Sequence, residues 1–322
     1  MDQSKDIFGI SSKCDNDGLR YPIYPNYPNY PSEKRVVARR RWAILAKALK
    51  SPMESQPSSP TNEYSVRRIS SFMLLKTQEL TSSPQLLPQI PQIEKYTWYK
   101  YSVCTDECME YYINVGHRNR TFSAEDLMGF NNTGNICVWP SEETLSYFVC
   151  SNLEIFKNRN VIELGGGMSC LAGLFAAKYG NPKRVLVTDG NKLSVENVQA
   201  TLKCNDFSVP VSCCVLEWSK YKFEDQYDVV LCADCLFFDE ARLDLINCIW
   251  RCLSDGGSAY VMAPRRGNTL DMFVKQSEER GFKCKKLLKY NKVVWEKRLT
   301  LLNNCDFDDN IHYPILIEVT KC

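Results

Sequence analysis

The apolar run Val161-Ile162 closes on Glu163-Leu164-Gly165-Gly166-Gly167, and a second apolar run, Val185-Leu186-Val187-Thr188, closes on Asp189. Residue types in this order can hold a nucleoside. A strand that ends in glycines lets a tight turn bring its backbone close to a ligand. A following strand that ends in an acid offers a carboxylate to a ribose diol. The pattern also marks dinucleotide sites and ordinary strand-to-helix turns, and the details separate these readings. Dinucleotide sites want G-x-G-x-x-G, with the third glycine where helix and sheet pack closely. Positions 165 to 170 read Gly-Gly-Gly-Met-Ser-Cys, so that glycine is absent. Glu163 would repel a pyrophosphate, whereas the sulfonium and amino groups of S-adenosylmethionine tolerate a nearby acid. A structural turn with no ligand stays open on these residues alone.

The elements that must position this turn are legible downstream of Gly134. Strands are expected at Val161 to Glu163, Val185 to Asp189, Val211 to Glu217, Tyr227 to Ala233, Ser258 to Ala263, Phe282 to Leu288 and Tyr313 to Thr320. Helices are expected over about Met168 to Lys178, Lys192 to Cys204, Glu240 to Leu253 and Thr269 to Arg280. This alternation specifies an α/β fold, a doubly wound seven-stranded Rossmann-like sheet, and ligands of such sheets bind beyond the carboxyl ends of the strands.

Three more places can contribute chemistry at that edge. Trp139 precedes Pro140 and a helix start at Ser141, and Trp218 follows the third strand. Either indole can flank an adenine or cover a methionine chain, although a lone tryptophan is more often core. Asp234, after Ala233 at the end of the fourth strand, is the candidate acceptor-side carboxylate. Its bland alternative is to cap the helix near Glu240. The loop Pro264-Arg265-Arg266-Gly267-Asn268 can line the same cleft, contact an acidic substrate or simply be solvated.

Composition limits the partners. The net charge of +2 on 322 residues is too small for nucleic-acid or membrane binding by bulk electrostatics. No N-terminal run resembles a signal peptide, and no apolar stretch approaches the roughly 20 residues of a membrane span. The expectation is an intracellular monomer, cytoplasmic, with Lys34 to Arg41 basic enough for nuclear entry. Most of the sixteen cysteines fall in apolar patterns and read as core residues of a reduced protein. Cys232-Ala233-Asp234-Cys235 has metal or redox spacing, but no second pair accompanies it and the chain has only two histidines, so no metal site is expected.

Before the α/β region, residues 1 to 33 carry the tyrosine–proline repeat Tyr21 to Pro31 and read as a disordered or polyproline tail. Residues 34 to 129 read as a smaller N-terminal α+β extension. Lys34 to Lys50 has seven basic residues and no acid, and Ala38, Trp42, Leu45 and Leu49 form one apolar stripe. Such a helix can bind an acidic partner or dock on its own domain. Strand-like runs follow at Val66 to Lys76, Tyr96 to Val103 and Tyr111 to Arg118.

The segments Phe130 to Glu143, Glu163 to Gly173, Ala233 to Phe237, Ala263 to Leu270 and His312 to Pro314, with Ser65 to Arg68 upstream, resemble the calmodulin-lysine N-methyltransferases. More broadly the chain resembles the seven-strand protein-lysine methyltransferases with an Asp-x-x-Tyr/Phe motif, here Asp234-Cys235-Leu236-Phe237. The resemblance implies a methyltransferase domain over 130 to 322, S-adenosylmethionine as cofactor and calmodulin as protein substrate. It implies that Trp139, Gly165, Gly166, Gly167, Asp189, Trp218 and Ala233 contact the cofactor, and Glu163 joins them as a candidate through its own place before the glycine turn. Asp234 and Phe237 would border the lysine channel. Ser169 stands where wider relatives often have glycine, which leaves the geometry of the helix start open.

Overall fold

The structure, a computed structural model, describes residues 11–14, 20–23, 71–80, 95–105, 109–119, 138–220, 225–303 and 307–321. The expected basic helix at 34–50, the proline-rich stretches at 51–62 and 81–92, and the motif residues before Val138 lie outside them. The chain divides into two compact units, Met1–Ser55 and Gln56–Cys322.

In the first unit, β1 (Ser11–Cys14) pairs antiparallel with β2 (Arg20–Ile23). The rest of the expected tail, residues 1–10, 15–19 and 24–33, lies outside the described residues. A two-stranded ribbon leaves alternate N–H groups of each strand unpaired, so Pro22, opposite Ser12, can stand in the ladder without costing a bond.

The second unit is built on a seven-stranded sheet. Its strands are β6 (Asn160–Glu163), β7 (Arg184–Asp189), β8 (Val211–Val215), β9 (Tyr227–Ala233), β10 (Leu253–Ala263), β11 (Phe282–Leu287) and β12 (Ile315–Lys321), in the order β11-β12-β10-β9-β6-β7-β8. All neighbours from β10 to β8 run parallel, and β12 runs antiparallel to both β10 and β11. The chain winds outward from β6 through β7 to β8 and then returns to β9 on the other side of β6. The strand order therefore reverses between β6 and β9, and a crevice opens beyond their carboxyl ends. Val161, Ile162, Val230 and Leu231 are fully buried, as parallel strands covered on both faces must be.

The connecting helices are α1 (Pro140–Cys150), α2 (Leu171–Tyr179), α3 (Lys192–Lys203), α4 (Arg242–Cys252) and α5 (Thr269–Arg280). Two more, α6 (Lys292–Leu301) and α7 (Asp309–His312), lie between β11 and β12. Sequence patterning missed both. Only Val294 of α6 is buried, so the helix carries almost no apolar stripe, and its start is set by the Asn291 side chain accepting from Val293 N and Val294 N.

A second sheet, of order β3-β4-β5, comprises β3 (Leu75–Glu79), β4 (Tyr96–Cys104) and β5 (Glu110–Arg118). Among the described residues the first strand begins at Leu75, and the expected start at Val66 lies outside them. Just before it, the N–H groups of Phe72 and Leu74 go to the Glu143 carboxylate and that of Met73 to the Ser71 hydroxyl, so these residues do not join the ladder. Gly116 lies opposite Trp98, and a Cβ there would come within 2.8 Å of the indole. Asn197 of α3 donates to Gly116 O at 2.6 Å and to Met168 O at 2.8 Å, which ties this sheet to the loop before α2.

Candidate active site

The glycine turn is clipped to the strands on either side. Leu164 N donates to Leu231 O at 2.9 Å, Gly166 N to Thr188 O at 3.0 Å, and the Thr188 hydroxyl to Glu163 O at 2.7 Å. Gly165 and Gly167 take φ of 67° and 63°, the left-handed region in which a side chain is strained. Gly167 N donates to Asp189 Oδ2 at 2.9 Å and Asn191 N to Asp189 Oδ1 at 2.8 Å, so this carboxylate fixes the turn as well as facing the crevice. Burial pushes the Asp189 carboxyl above its ordinary range, and the Asn191 and Gly167 N–H bonds oppose that shift. The Ser194 side chain adds a third hydrogen bond to this carboxylate, whose two oxygens offer about four acceptor sites, so one is left for a diol hydroxyl.

The crevice holds a cavity of about 170 Å³. Gly165, Asp189, Trp139, Trp218, Ala233, Asp234 and Phe237 all line it, so seven of the ten anticipated residues converge on one space. The other three stand behind it. Gly166 and Gly167 complete the turn, and Glu163 points away from the cavity, fully buried, with Oε2 accepting from Gly173 N at 2.8 Å. Trp139 is the residue that precedes the first turn of α1, and Trp218 is held through its carbonyl by Arg251. Leu216, Glu217, Cys235 and Asp244 also face the cavity and carry no local signature in the sequence.

Beneath the turn, two acids occupy the start of α2. Glu142 Oε1 accepts from the Ser169 hydroxyl at 2.6 Å and from Leu171 N at 3.1 Å, while Glu163 takes Gly173 N. The helix N-terminus that would meet a pyrophosphate in a dinucleotide site is thus filled by the protein's own carboxyl groups. Ser169 in place of glycine has a defined role here, as the donor that anchors Glu142.

Burial, reinforced by Glu142 nearby, pushes the Glu163 carboxyl from an ordinary 4.5 up to about 8. The native state therefore holds a proton that the unfolded chain releases above 4.5. Stability from this group is complete below that pH and is lost as the pH rises through about 8. Glu163→Gln keeps an acceptor for Gly173 and removes the titration. We expect the stability of the variant relative to the parent to rise between pH 5 and pH 9 by on the order of a few kcal/mol. Urea midpoints at several pH values check this, and an offset that does not change with pH would refute it.

Asp234 follows the last residue of β9 with φ of 55°, its N–H bonded to Met262 O at 2.8 Å. It does not cap α4, which starts after Ala241. Its carboxylate meets Arg266 of the loop after β10 in a two-point ion pair. Sequence reasoning had placed that loop near the cleft without finding this contact, because nothing local links residues so far apart in the chain. Cys232 and Cys235 are free thiols in the core, and among the described residues no cluster of His, Cys, Asp or Glu could hold a metal ion. No helix among them is long and apolar enough to cross a membrane.

The donor set fits S-adenosylmethionine. A Cβ on Gly165 would meet Cys235 Sγ at 2.8 Å and Trp218 at 3.1 Å, so the missing side chain leaves the backbone bare against the cavity. Indoles for an adenine, a carboxylate for a ribose and an acid-lined wall for a cationic ligand surround it.

Residues 123–280 match the family described as lysine methyltransferase. The chain is 29% identical over 304 residues to a calmodulin-lysine N-methyltransferase of Arabidopsis thaliana, covering 87% of this chain and 96% of that protein. It is 28% identical over 123 residues to the electron transfer flavoprotein beta subunit lysine methyltransferase of Homo sapiens, covering 35% of this chain and 43% of that protein. Among solved structures, the N-methyltransferase NodS from Bradyrhizobium japonicum aligns with a TM-score of 0.44 at 12% identity, over 61% of this chain and 95% of that one.

Proposed function

We propose that this chain, an S-adenosylmethionine-dependent protein-lysine N-methyltransferase, acts on a lysine of calmodulin and carries it as far as trimethyl-lysine. One observation carries the substrate: the relative that bears this activity in its name aligns along nearly its whole length, including the region before the methyltransferase core.

We assign cofactor binding to Trp139, Gly165, Asp189, Trp218 and Ala233, with Gly166 and Gly167 completing the turn and Glu163 setting it from behind. When bound, S-adenosylmethionine would supply a sulfonium-linked methyl group that an amine lone pair can attack, the C–S bond breaking to release the thioether. The chain's own task is to present that amine in its neutral form. Free lysine has a pKa near 10.4, so holding it deprotonated at neutral pH costs about 4 to 5 kcal/mol. A channel that passes Phe237 lowers this cost, because desolvation disfavours the ammonium. Asp234 orients the amine. Positioning and exclusion of water then supply most of the acceleration.

The test is the intact mass of purified calmodulin after incubation with this protein and S-adenosylmethionine, with and without calcium. Steps of one, two and three methyl groups are expected. An unchanged mass, with cofactor binding demonstrated, would move the substrate to another protein. Asp234→Ala is expected to bind cofactor and lose turnover, and normal turnover in that variant would remove it from the channel.

A further inference from the structure

Asp234 lines the cavity, but its carboxylate is already engaged. Arg266 Nη2 lies 2.8 Å from Oδ2, and Nη1 binds Oδ1, a fork-to-fork pair whose side chains are only 14% and 8% exposed. Both residues sit in the left-handed region, Arg266 at φ of 43° and Asp234 at 55°, a conformation that disfavours residues with a side chain. The backbone keeps them there. Asp234 N bonds Met262 O, Arg266 N bonds Asn310 O at 2.7 Å, and Gly267 N bonds Asn310 Oδ1 at 3.2 Å. Strain at both ends of one shielded ion pair, beside the cavity, marks a built feature rather than a solvated contact.

The chemistry of the acceptor gives this pair a use. A lone carboxylate on the channel wall would bind the lysine as an ammonium and raise its pKa, stabilising the form that cannot attack. Asp189, Glu217 and Asp244 line the same cavity and push in the same direction. Arg266 opposes them. Its Cζ lies 5.9 Å from the centroid of the Phe237 ring, so its charge stands next to the proposed channel. We infer that Arg266 is a positioning residue for the acceptor lysine: by holding both oxygens of Asp234 it lets this carboxylate orient a neutral amine without retaining the ammonium. The proton lost by the lysine passes to water before the methyl group moves. The inference rests on the placement of Asp234 at the acceptor side.

The test compares Arg266→Gln, Arg266→Lys and Asp234→Asn in the full chain. Cofactor affinity by calorimetry, thermal midpoint, and kcat and KM for the protein substrate are measured from neutral to alkaline pH. For Arg266→Gln we expect unchanged cofactor affinity, KM no higher, and kcat about tenfold lower near neutral pH, with the acid limb displaced upward by about one unit and activity recovering in alkali. Arg266→Lys, which keeps the charge but not the fork, should fall between. An unaltered pH profile in Arg266→Gln overturns the inference. So does a loss of cofactor affinity and thermal midpoint together at every pH. If Asp234→Asn also turns over with the parent profile, the acceptor-side placement itself fails; if it is impaired while Arg266→Gln is not, only the role of Arg266 falls.

Discussion

Gly165→Ala is expected to lower affinity for S-adenosylmethionine by about a hundredfold while leaving the fold intact. Two costs combine. The residue has φ of 67°, where an L side chain loses roughly 1–2 kcal/mol. The new methyl would stand 2.8 Å from Cys235 Sγ and 3.1 Å from Trp218 Cζ2, and neither neighbour can simply turn away. Cys235 is buried beneath the turn, its thiol within bonding reach of Ala233 O at 3.2 Å, and Trp218 is only 7% exposed and anchored at its carbonyl by Arg251. Relief therefore comes by moving the turn or the indole, and both line the cavity. A hundredfold loss corresponds to about 2.7 kcal/mol, within the sum of strain and displacement. Titration of the purified variant with cofactor, followed by calorimetry or tryptophan fluorescence, gives the number. Affinity within a few-fold of the parent would mean that this backbone does not touch the ligand.

The same turn shows what a sequence can and cannot disclose. Its strands announce themselves because parallel strands buried on both faces read as short apolar runs, and the acid and glycines at their ends stand out against that background. Once β6, β7 and β9 are placed, the winding rule brings Gly165, Asp189 and Ala233 to one edge without knowledge of any distance. Orientation is a different matter. Glu163 reads as a residue facing a ligand, yet it packs inward on Gly173, because α2 needs acceptors for its first N–H groups and a buried carboxyl is at hand. Arg266 is the reverse case. Its proximity to Asp234 depends on the two loops after β9 and β10 bending through left-handed residues, and no periodicity records that. Helix α6 escaped notice for a third reason: with one buried residue it has no apolar stripe to detect.

Glu143→Ala is expected to give the largest loss of stability, about 3–5 kcal/mol, through a residue that touches no part of the cavity. Glu143 sits in the first turn of α1 and is 1% exposed. Its carboxylate accepts from Leu74 N at 2.7 Å, Phe72 N at 3.1 Å and Leu75 N at 3.3 Å, and from the Ser71 hydroxyl at 2.9 and 3.0 Å. One side chain thus satisfies a segment that crosses α1 before β3 begins, and Phe72 beyond it packs edge-on against Phe307 and Tyr313. Truncation leaves several buried N–H groups without acceptors, each costing about 1–3 kcal/mol, less whatever water can reach. Glu143→Gln should cost less, since its amide retains one acceptor oxygen but turns a donor toward the remaining N–H groups. Because α1 starts at Trp139 on the cavity wall, loosening this segment should also weaken cofactor binding, by less than the loss of fold stability. Urea denaturation with and without saturating cofactor separates the two effects. A Glu143→Ala protein as stable as its parent would show that Ser71 to Leu75 does not depend on α1 for its hydrogen bonds, and the link between the smaller sheet and the cavity would then have to run through the bonds that α3 makes to β5, those of Asn197 and Thr201 to Gly116 among them.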